Sequence, residues 1–308
     1  MSSFAGALRI SEEVKAALSS GKAVVALEST VITHGLPYPD NMRIAQEMED
    51  EVRQLGGIPA TIAVLDGLVY AGLNTDQLEK LARTKGLHKI SRRDYGPALA
   101  LGWSGGTTVA GTMLVANSVK IRVFATGGIG GVHRQPAYDI SPDLPELAHT
   151  PMIVVCAGAK AILDLSATLE YLETASVPVL GYQTDKFPAF FSRSSGLEVN
   201  VRVDTPEQVI SIAQAHWDAG NHSAVLVVNP LPENHALPRE DVERVVQNAL
   251  AEADAQGIRG QAMTPFLLNR VNALTGGGSL QANLELLRNN ARLGAEISVQ
   301  LSKESPAS

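Results

Sequence analysis

Short runs of Val, Ile, Leu and Ala recur along the chain. Between them lie stretches in which apolar residues return every three or four positions. Continuous apolar runs fit strands buried on both faces, and the helical period fits the elements that cover them. The runs predict strands over Val24–Glu28, Ala60–Leu65, Leu68–Ala71, Lys120–Ala125, Ile153–Ala157, Val179–Gln183, Val199–Val203 and Ala224–Val228. The periodic stretches predict helices over Asn41–Leu55, Thr75–Lys85, Thr107–Asn117, Ile162–Thr174, Pro206–Ala219, Arg239–Ala255, Pro265–Leu274 and Leu280–Leu301. This alternation predicts one α/β domain over residues 1–308. Its sheet is mixed but mostly parallel, with helices on both faces (α/β/α) and the C-terminal helices packed onto it. Thr205 before Pro206 reads as an N-cap followed by proline at the first helical position. Gly257 after Gln256 reads as a helix stop. The residues after about Leu301 read as a frayed polar tail.

The 308 residues are 45% hydrophobic and 19% charged, with a formal net charge of −7. That composition fits a soluble chain with a large core. No Lys/Arg block stands out, which argues against a nucleic-acid polymer as partner. Cys156 is the single cysteine and sits in an apolar run, so a packing role is expected rather than a disulfide. No signal segment opens the sequence, and no apolar run approaches the ~18 residues of a membrane span. The expected location is the cytoplasm, away from membranes.

In open parallel sheets, sites gather beyond the carboxyl ends of the strands. The run Met152-Ile-Val-Val-Val-Cys-Ala-Gly-Ala-Lys160 ends on a lysine at a strand-to-helix junction. Partial desolvation and the positive end of a helix both disfavour an ammonium there. A neutral lysine amine is a nucleophile towards carbonyl carbon. The alternative is a lysine that reaches solvent or pairs with Asp164. Glu28 ends another buried strand, where it suits general acid–base work. The alternative is a glutamate that caps a helix or pairs with an arginine.

The run Thr126-Gly-Gly-Ile-Gly-Gly-Val-His133-Arg134 permits close backbone approach, positive φ and an amide cradle for an anion. It lacks the endings of a Walker loop and of a dinucleotide fingerprint, and a tight turn is the plainer reading. Gly105-Gly-Thr107-Thr108 reads as a helix start, suited to phosphate or simply capped by Thr107. Lys89-Ile-Ser91-Arg92-Arg93-Asp94 is a basic cluster that suits phosphate, or else a solvated turn in which Asp94 pairs with Arg93. Asp139-Ile-Ser-Pro-Asp143 carries two carboxylates, too few for a protein-made calcium cage but enough to anchor a hydrated Mg²⁺ or Mn²⁺. Otherwise Ser141 and Asp143 cap the short helix that follows. No zinc spacing and no Gly-x-Ser-x-Gly elbow is present.

Together these segments resemble the pseudouridine-5′-phosphate glycosidase family. The likeness rests on Val24-Val-Ala-Leu-Glu-Ser-Thr30, Ser91-Arg-Arg-Asp94, Phe124-Ala-Thr-Gly-Gly-Ile-Gly-Gly-Val-His-Arg134 and Val154-Val-Cys-Ala-Gly-Ala-Lys160. It continues through Gly181-Tyr-Gln-Thr184, Pro188-Ala-Phe-Phe191, Asn229-Pro230, Thr264-Pro-Phe-Leu-Leu268 and Thr275-Gly-Gly277, in order from about Ile10 to Leu301. The family includes relatives from pigment and aromatic-polyketide clusters that act on other aglycones. The resemblance implies a nucleophile at Lys160 and a proton donor at Glu28. It implies substrate contacts at Lys89, Val109, Ser141, Pro142 and Asp143, with His133 and Asn283 as further contacts at the base or sugar. It implies Asp139 as ligand of one mostly hydrated Mn²⁺ per subunit, and a homotrimer.

The expected reaction is reversible cleavage of pseudouridine 5′-phosphate to uracil and ribose 5-phosphate through a Lys160 Schiff base. A C-glycosynthase joining ribose 5-phosphate to another aromatic is the alternative, and a non-catalytic sugar-phosphate binder is a third reading. Two departures from the glycosidase pattern lie beside the expected site. The segment Gln135-Pro-Ala-Tyr138 is shorter than expected by about two residues, and Pro142 stands where a small residue is expected. Both bear on the aglycone pocket more than on the lysine chemistry.

Overall fold

The computed structural model describes residues 4, 6–134, 138–258 and 263–304. Strands in chain order are β1 Leu8–Ile10, β2 Val24–Leu27, β3 Ile58–Leu65, β4 Leu68–Ala71, β5 His88–Ile90, β6 Gly105–Thr107 and β7 Val123–Ala125. They continue with β8 Val132–His133, β9 Ile153–Cys156, β10 Leu163–Asp164, β11 Val179–Tyr182, β12 Val201–Val203 and β13 Val225–Val228. Helices are α1 Glu12–Ser19, α2 Asp40–Gln54, α3 Thr75–Arg83, α4 Tyr95–Leu101, α5 Val109–Ser118 and α6 Asp143–Leu147. The remaining helices are α7 Leu165–Thr174, α8 Pro206–Asp218, α9 Arg239–Ala255, α10 Met263–Leu274 and α11 Gly278–Glu304.

Eleven strands form one mixed sheet in the order β1-β4-β3-β2-β7-β9-β13-β11-β12, with β6 added beside β3 and β5 beside β6. The central run from β3 through β2, β7, β9, β13 and β11 to β12 is parallel throughout. β4 and β6 each pair antiparallel to β3. Successive side chains of a strand point to opposite faces. Accordingly Val123, Ile153, Val155, Val225 and Val227 cluster with Val209 and Ile210 of α8 and Leu293 and Ile297 of α11. Phe124, Val154, Leu226 and Val228 belong to the main core, which includes Met113 of α5 and Val246 of α9. The sheet is therefore covered on both faces, as its continuous Val/Ile text requires. Phe124 is fully buried, and truncating such a ring to alanine costs about 3–5 kcal/mol.

Register decides where the chemistry falls. Leu27 of β2 partners Ala125 of β7, Ala125 partners Val155 of β9, and Cys156 partners Val228 of β13. The next residues, Glu28, Thr126, Ala157 and Asn229, leave the sheet at neighbouring carboxyl ends. α11 crosses this region, packing on α2, α8, β2, β7 and β9. The approach is close because position 294 is glycine: a Cβ there would lie 3.0 Å from that of Ala125.

Several boundaries differ from those the sequence predicts. The β7 run opens at Val123 because Lys120 turns through a left-handed φ of 67°. α5 starts at Val109 rather than Thr107, because Gly105–Thr107 is a strand and Thr108 supplies the cap, its hydroxyl accepting from the Gly111 amide. α7 starts at Leu165, since Leu163–Asp164 pairs with β8 and Asp164 caps the Ala167 amide. α11 extends through Glu304, past the expected fray point. The rest of that tail, and the Gln135–Ala137 part of the shortened loop, lie outside the described residues. Cys156 is buried as expected.

Candidate active site

One cavity of about 360 Å³ opens at the carboxyl ends of the central strands, and Glu28, Lys89, Val109, His133, Asp139, Ser141, Pro142, Asp143, Lys160 and Asn283 all line it. The volume lies within the roughly 300–1,000 Å³ typical of small-molecule sites. The ten positions come from seven stretches of chain, so the fold brings together what the sequence scatters.

Glu28 follows β2 and is 7% exposed. Both its oxygens are held: Oε1 accepts from the Thr126 hydroxyl and Oε2 from the Thr30 hydroxyl. Thr126 reaches it because β2 and β7 are paired, and Thr30 because the chain turns at once into a π-helical turn, Val31–Gly35. Among the described residues the glutamate neither caps a helix nor pairs with an arginine. Sequence reasoning missed both threonines as partners. Their signal was position: Thr126 stands one residue past β7 and Thr30 three past β2.

Lys160 lies on the loop after β9. Its amide donates to the Ile129 carbonyl at 3.1 Å, and its carbonyl accepts from Leu163 at 3.0 Å. Two sequence expectations are corrected here. Lys160 is not at a helix N-terminus, because α7 begins five residues later. Nor does it pair with Asp164, whose carboxylate is committed to the Ala167 amide at 3.0 Å. The ammonium-disfavouring helix dipole is therefore absent, and Lys160 instead meets a second lysine. Lys89, in the middle of β5, is pushed below the usual lysine range by burial and by the Lys160 charge, while Asp143 and Glu28 oppose the shift.

Asp143 is buried, and its carboxylate bridges two segments. Oδ1 accepts from the Ala110 amide at 2.9 Å and Oδ2 from the Gly130 amide at 2.8 Å. It thus fills part of the α5 N-terminus and pins the glycine loop to it. It does not cap its own helix α6, whose cap position is Pro142 and has no side-chain bond. The glycine run departs from expectation in the same way. None of Gly127, Gly128, Gly130 or Gly131 has positive φ. The Ile129, Gly130 and Val132 amides are bonded to Gly158, Asp143 and Thr168, so they cradle no anion. Close packing explains the glycine: a Cβ on Gly130 would lie 2.1 Å from Ser141 Oγ and 2.8 Å from Asp143 Oδ2. The amide of Val109, first residue of α5, has no hydrogen-bond partner among the described residues.

Residues 131–133 and 139–141 pair as a small hairpin, with His133 N donating to Asp139 O at 2.9 Å and Ser141 N to Gly131 O at 3.0 Å. His133 and Asp139 are thus neighbours, Nδ1 to Oδ2 4.0 Å. Burial lowers the His133 pKa, Asp139 opposes that, and the Lys89 and Lys160 charges reinforce it. Among the described residues no group of three His, Cys, Asp or Glu gathers to hold a metal. One carboxylate beside one imidazole fits a mostly hydrated Mn²⁺, which takes oxygen ligands and keeps its waters. It does not fit a dehydrated cage.

Arg134, a candidate donor in the sequence, is spent elsewhere, on Glu243 and on the Leu163 and Ala161 carbonyls. Arg92 is held by Glu146, whereas Arg93, loosely paired with Asp94 at 3.5 Å, lines the cavity. His34, unremarked in the sequence, also lines it from the π-helical turn. Its pKa is lowered by burial and the nearby Lys89 charge. Trp103 stacks on His88, centroids 4.0 Å apart, and so packs the flank of β5.

Residues 13–300 match the family described as Indigoidine synthase A like protein. A pseudouridine-5′-phosphate glycosidase of Caldanaerobacter subterraneus subsp. tengcongensis is 52% identical over 296 residues, covering 96% of each chain. One of Petrotoga mobilis is 50% identical over 292 residues, covering 94% of this chain and 95% of its own. The crystal structure of a prealnumycin C-glycosynthase in complex with ribulose 5-phosphate superposes with a TM-score of 0.90 at 42% identity, covering 97% of this chain and 98% of that one. The chain belongs to the indigoidine synthase A like family.

Proposed function

We propose that this family member is a pseudouridine-5′-phosphate glycosidase that cleaves the carbon–carbon bond between ribose C1′ and uracil C5. The observation that carries the reading is the meeting of Lys160 with a threonine-clamped Glu28 in one cavity. Two further cations, Lys89 and Arg93, line the same cavity and suit a phosphate. Identity near 50% to relatives carrying that name favours it over the glycosynthase, at 42%.

The usual glycosidase route expels an oxygen or nitrogen that an acid can protonate. Carbon is a poor leaving group, so a covalent catalyst is needed. Glu28 gives its proton to the ribose ring oxygen as the C1′–O bond breaks, and the Lys160 amine bonds C1′ in the opened sugar. The C1′–C5 bond then breaks. Its electron pair stays with uracil, whose C5 takes a proton, and the Lys160 nitrogen lone pair forms the iminium. Water adds to C1′ and expels the amine, giving ribose 5-phosphate and free Lys160. Lys89, Arg93 and the Val109 amide hold the phosphate end, fixing C1′ against the lysine. Ser141 and Pro142 shape the wall beside them, and His133 and Asn283 face the base or sugar. Asp139 and water would hold Mn²⁺, which would supply positive charge to the site.

The enzyme acts as a cytoplasmic homotrimer, which light scattering tests. Among the described residues no helix is long and apolar enough to cross a membrane. The decisive experiment is borohydride reduction with ribose 5-phosphate, followed by mass spectrometry. The expected product is one sugar-phosphate adduct on Lys160, absent in Lys160→Ala along with uracil release. Full turnover by Lys160→Ala would sink the mechanism. The glycosynthase reading is favoured instead if pseudouridine 5′-phosphate is not cleaved while the adduct still forms.

A further inference from the structure

Behind the cavity lies a buried asparagine that the reaction above does not use. Asn290 sits in the interior of α11 and is 0% exposed. A polar amide in such a place costs free energy unless its bonds are made. Its Nδ2 donates to the Thr126 carbonyl at 2.8 Å and to the Gly127 carbonyl at 3.3 Å. Its Oδ1 accepts from Asn229 Nδ2 at 3.1 Å. Asn229 follows β13, and its amide donates to the Cys156 carbonyl of β9 at 2.8 Å. One side-chain amide therefore ties the ends of β7 and β13 to a helix, and the Asn229 backbone N–H carries the tie on to β9.

The residue it grips is the one that grips the acid. Thr126 is held through its carbonyl by Asn290 and donates its hydroxyl to Glu28 Oε1. Thr126 N also bonds the Val155 carbonyl at 3.0 Å, so its peptide is fixed on both sides. A leucine at position 290 would satisfy the helix and the surrounding apolar residues. It would leave the Thr126 carbonyl unpaired and that residue held only through its N–H to Val155, while the Gly127 carbonyl keeps the Ala157 amide. Gly294, one turn along the same helix, permits the close approach to Ala125 described above, which brings Asn290 within reach.

We infer that Asn290 is a positioning residue for catalysis, acting through Thr126 to hold the Glu28 carboxyl group against the sugar ring oxygen. The inference rests on the glycosidase reading for the identity of the reaction, but the bonds it names do not. A chain of buried hydrogen bonds works as a unit, so its members couple rather than add. Displacing an acid by a fraction of an ångström weakens the transition state more than the ground state, so kcat falls and KM changes little.

The test is a double-mutant cycle on kcat with pseudouridine 5′-phosphate, using Asn290→Ala, Thr126→Val and the pair. Asn290→Ala is expected to lower kcat by about 10–100-fold with KM within about threefold, and Thr126→Val by at least as much. The pair should be no slower than the worse single variant. Additive losses, or a loss confined to KM, would overturn the inference. Asn290→Ser keeps one donor and should recover part of kcat, whereas Asn290→Leu should not. If Asn290→Ala proves too unstable to assay, the Ser and Leu variants carry the comparison, and equal rates for the two would refute it. A parent enzyme that fails to cleave the substrate points to failure of the glycosidase reading instead. In that case the same cycle is read on Lys160 adduct formation with ribose 5-phosphate.

Discussion

Replacing Asp143 by alanine separates two roles that the sequence could not distinguish. The family resemblance gives Asp143 to the substrate, whereas the fold gives both its oxygens to backbone amides of Ala110 and Gly130. Hydrogen bonds to a charged group are worth about 1.5–3 kcal/mol each, and a buried donor left unpaired costs about 1–3 kcal/mol. Two such bonds disappear in the variant, and water entering the cavity restores part of the loss. A net destabilisation of about 3 kcal/mol is expected, roughly a hundredfold in the folding equilibrium. Asp143→Asn keeps the shape but turns an amino group towards one of the two donors, so about 2 kcal/mol is expected. Urea unfolding measures both, with the midpoint falling and the slope unchanged. If Asp143→Ala unfolds within about 0.5 kcal/mol of the parent while KM for the phosphorylated substrate rises, the brace described here is wrong and Asp143 serves the ligand alone.

Three further outcomes are expected. Gly130→Ala forces a methyl onto Ser141 Oγ and Asp143 Oδ2, so activity should drop at least tenfold and stability by about 1–3 kcal/mol; near-normal values in both would refute the packing argument. His34 and His133 both protonate less readily folded than unfolded, chiefly from burial. Their contribution to stability is therefore complete above about pH 6.5 and is lost as pH falls through the lowered values. A His34→Gln, His133→Gln double variant should lose less stability between pH 7.5 and 5.5 than the parent, and equal losses would refute the sign. Chelation should reduce kcat/KM several-fold and added Mn²⁺ restore it, while Asp139→Asn should blunt the response; indifference to chelator would remove the metal from the site.

The sheet and its covering helices were legible because parallel strands buried on both faces leave unbroken Val/Ile text. The parts that escaped have no such text. β6 is Gly105-Gly-Thr107, which carries almost no apolar side chain, and α1 buries only Val14 and Ala17. The cavity residues were legible as polar interruptions after apolar runs and through family likeness. What they do locally was not. Lys160 read as a helix-end lysine because β10 is only two residues long and cannot be seen in a pattern. Glu28 left its partners open because Thr126 lies 98 residues away and only strand pairing brings it near. Arg134 and the Ile129, Gly130 and Val132 amides looked like anion donors because sequence shows which groups donate, and not which bonds they have already made.

The order in which the cavity's parts leave the ribosome carries a consequence of its own. Every strand of the large sheet precedes α11 in the chain, yet Asn283 and Asn290 come from that helix. A growing chain can lay down the whole sheet, with Glu28 and Lys160 in place on it, and still have an unwalled cavity and an unbraced Thr126. Docking of one late helix then completes the site in a single event. Until that helix docks, the cavity lacks the wall that Asn283 gives it and Thr126 lacks the bond from Asn290.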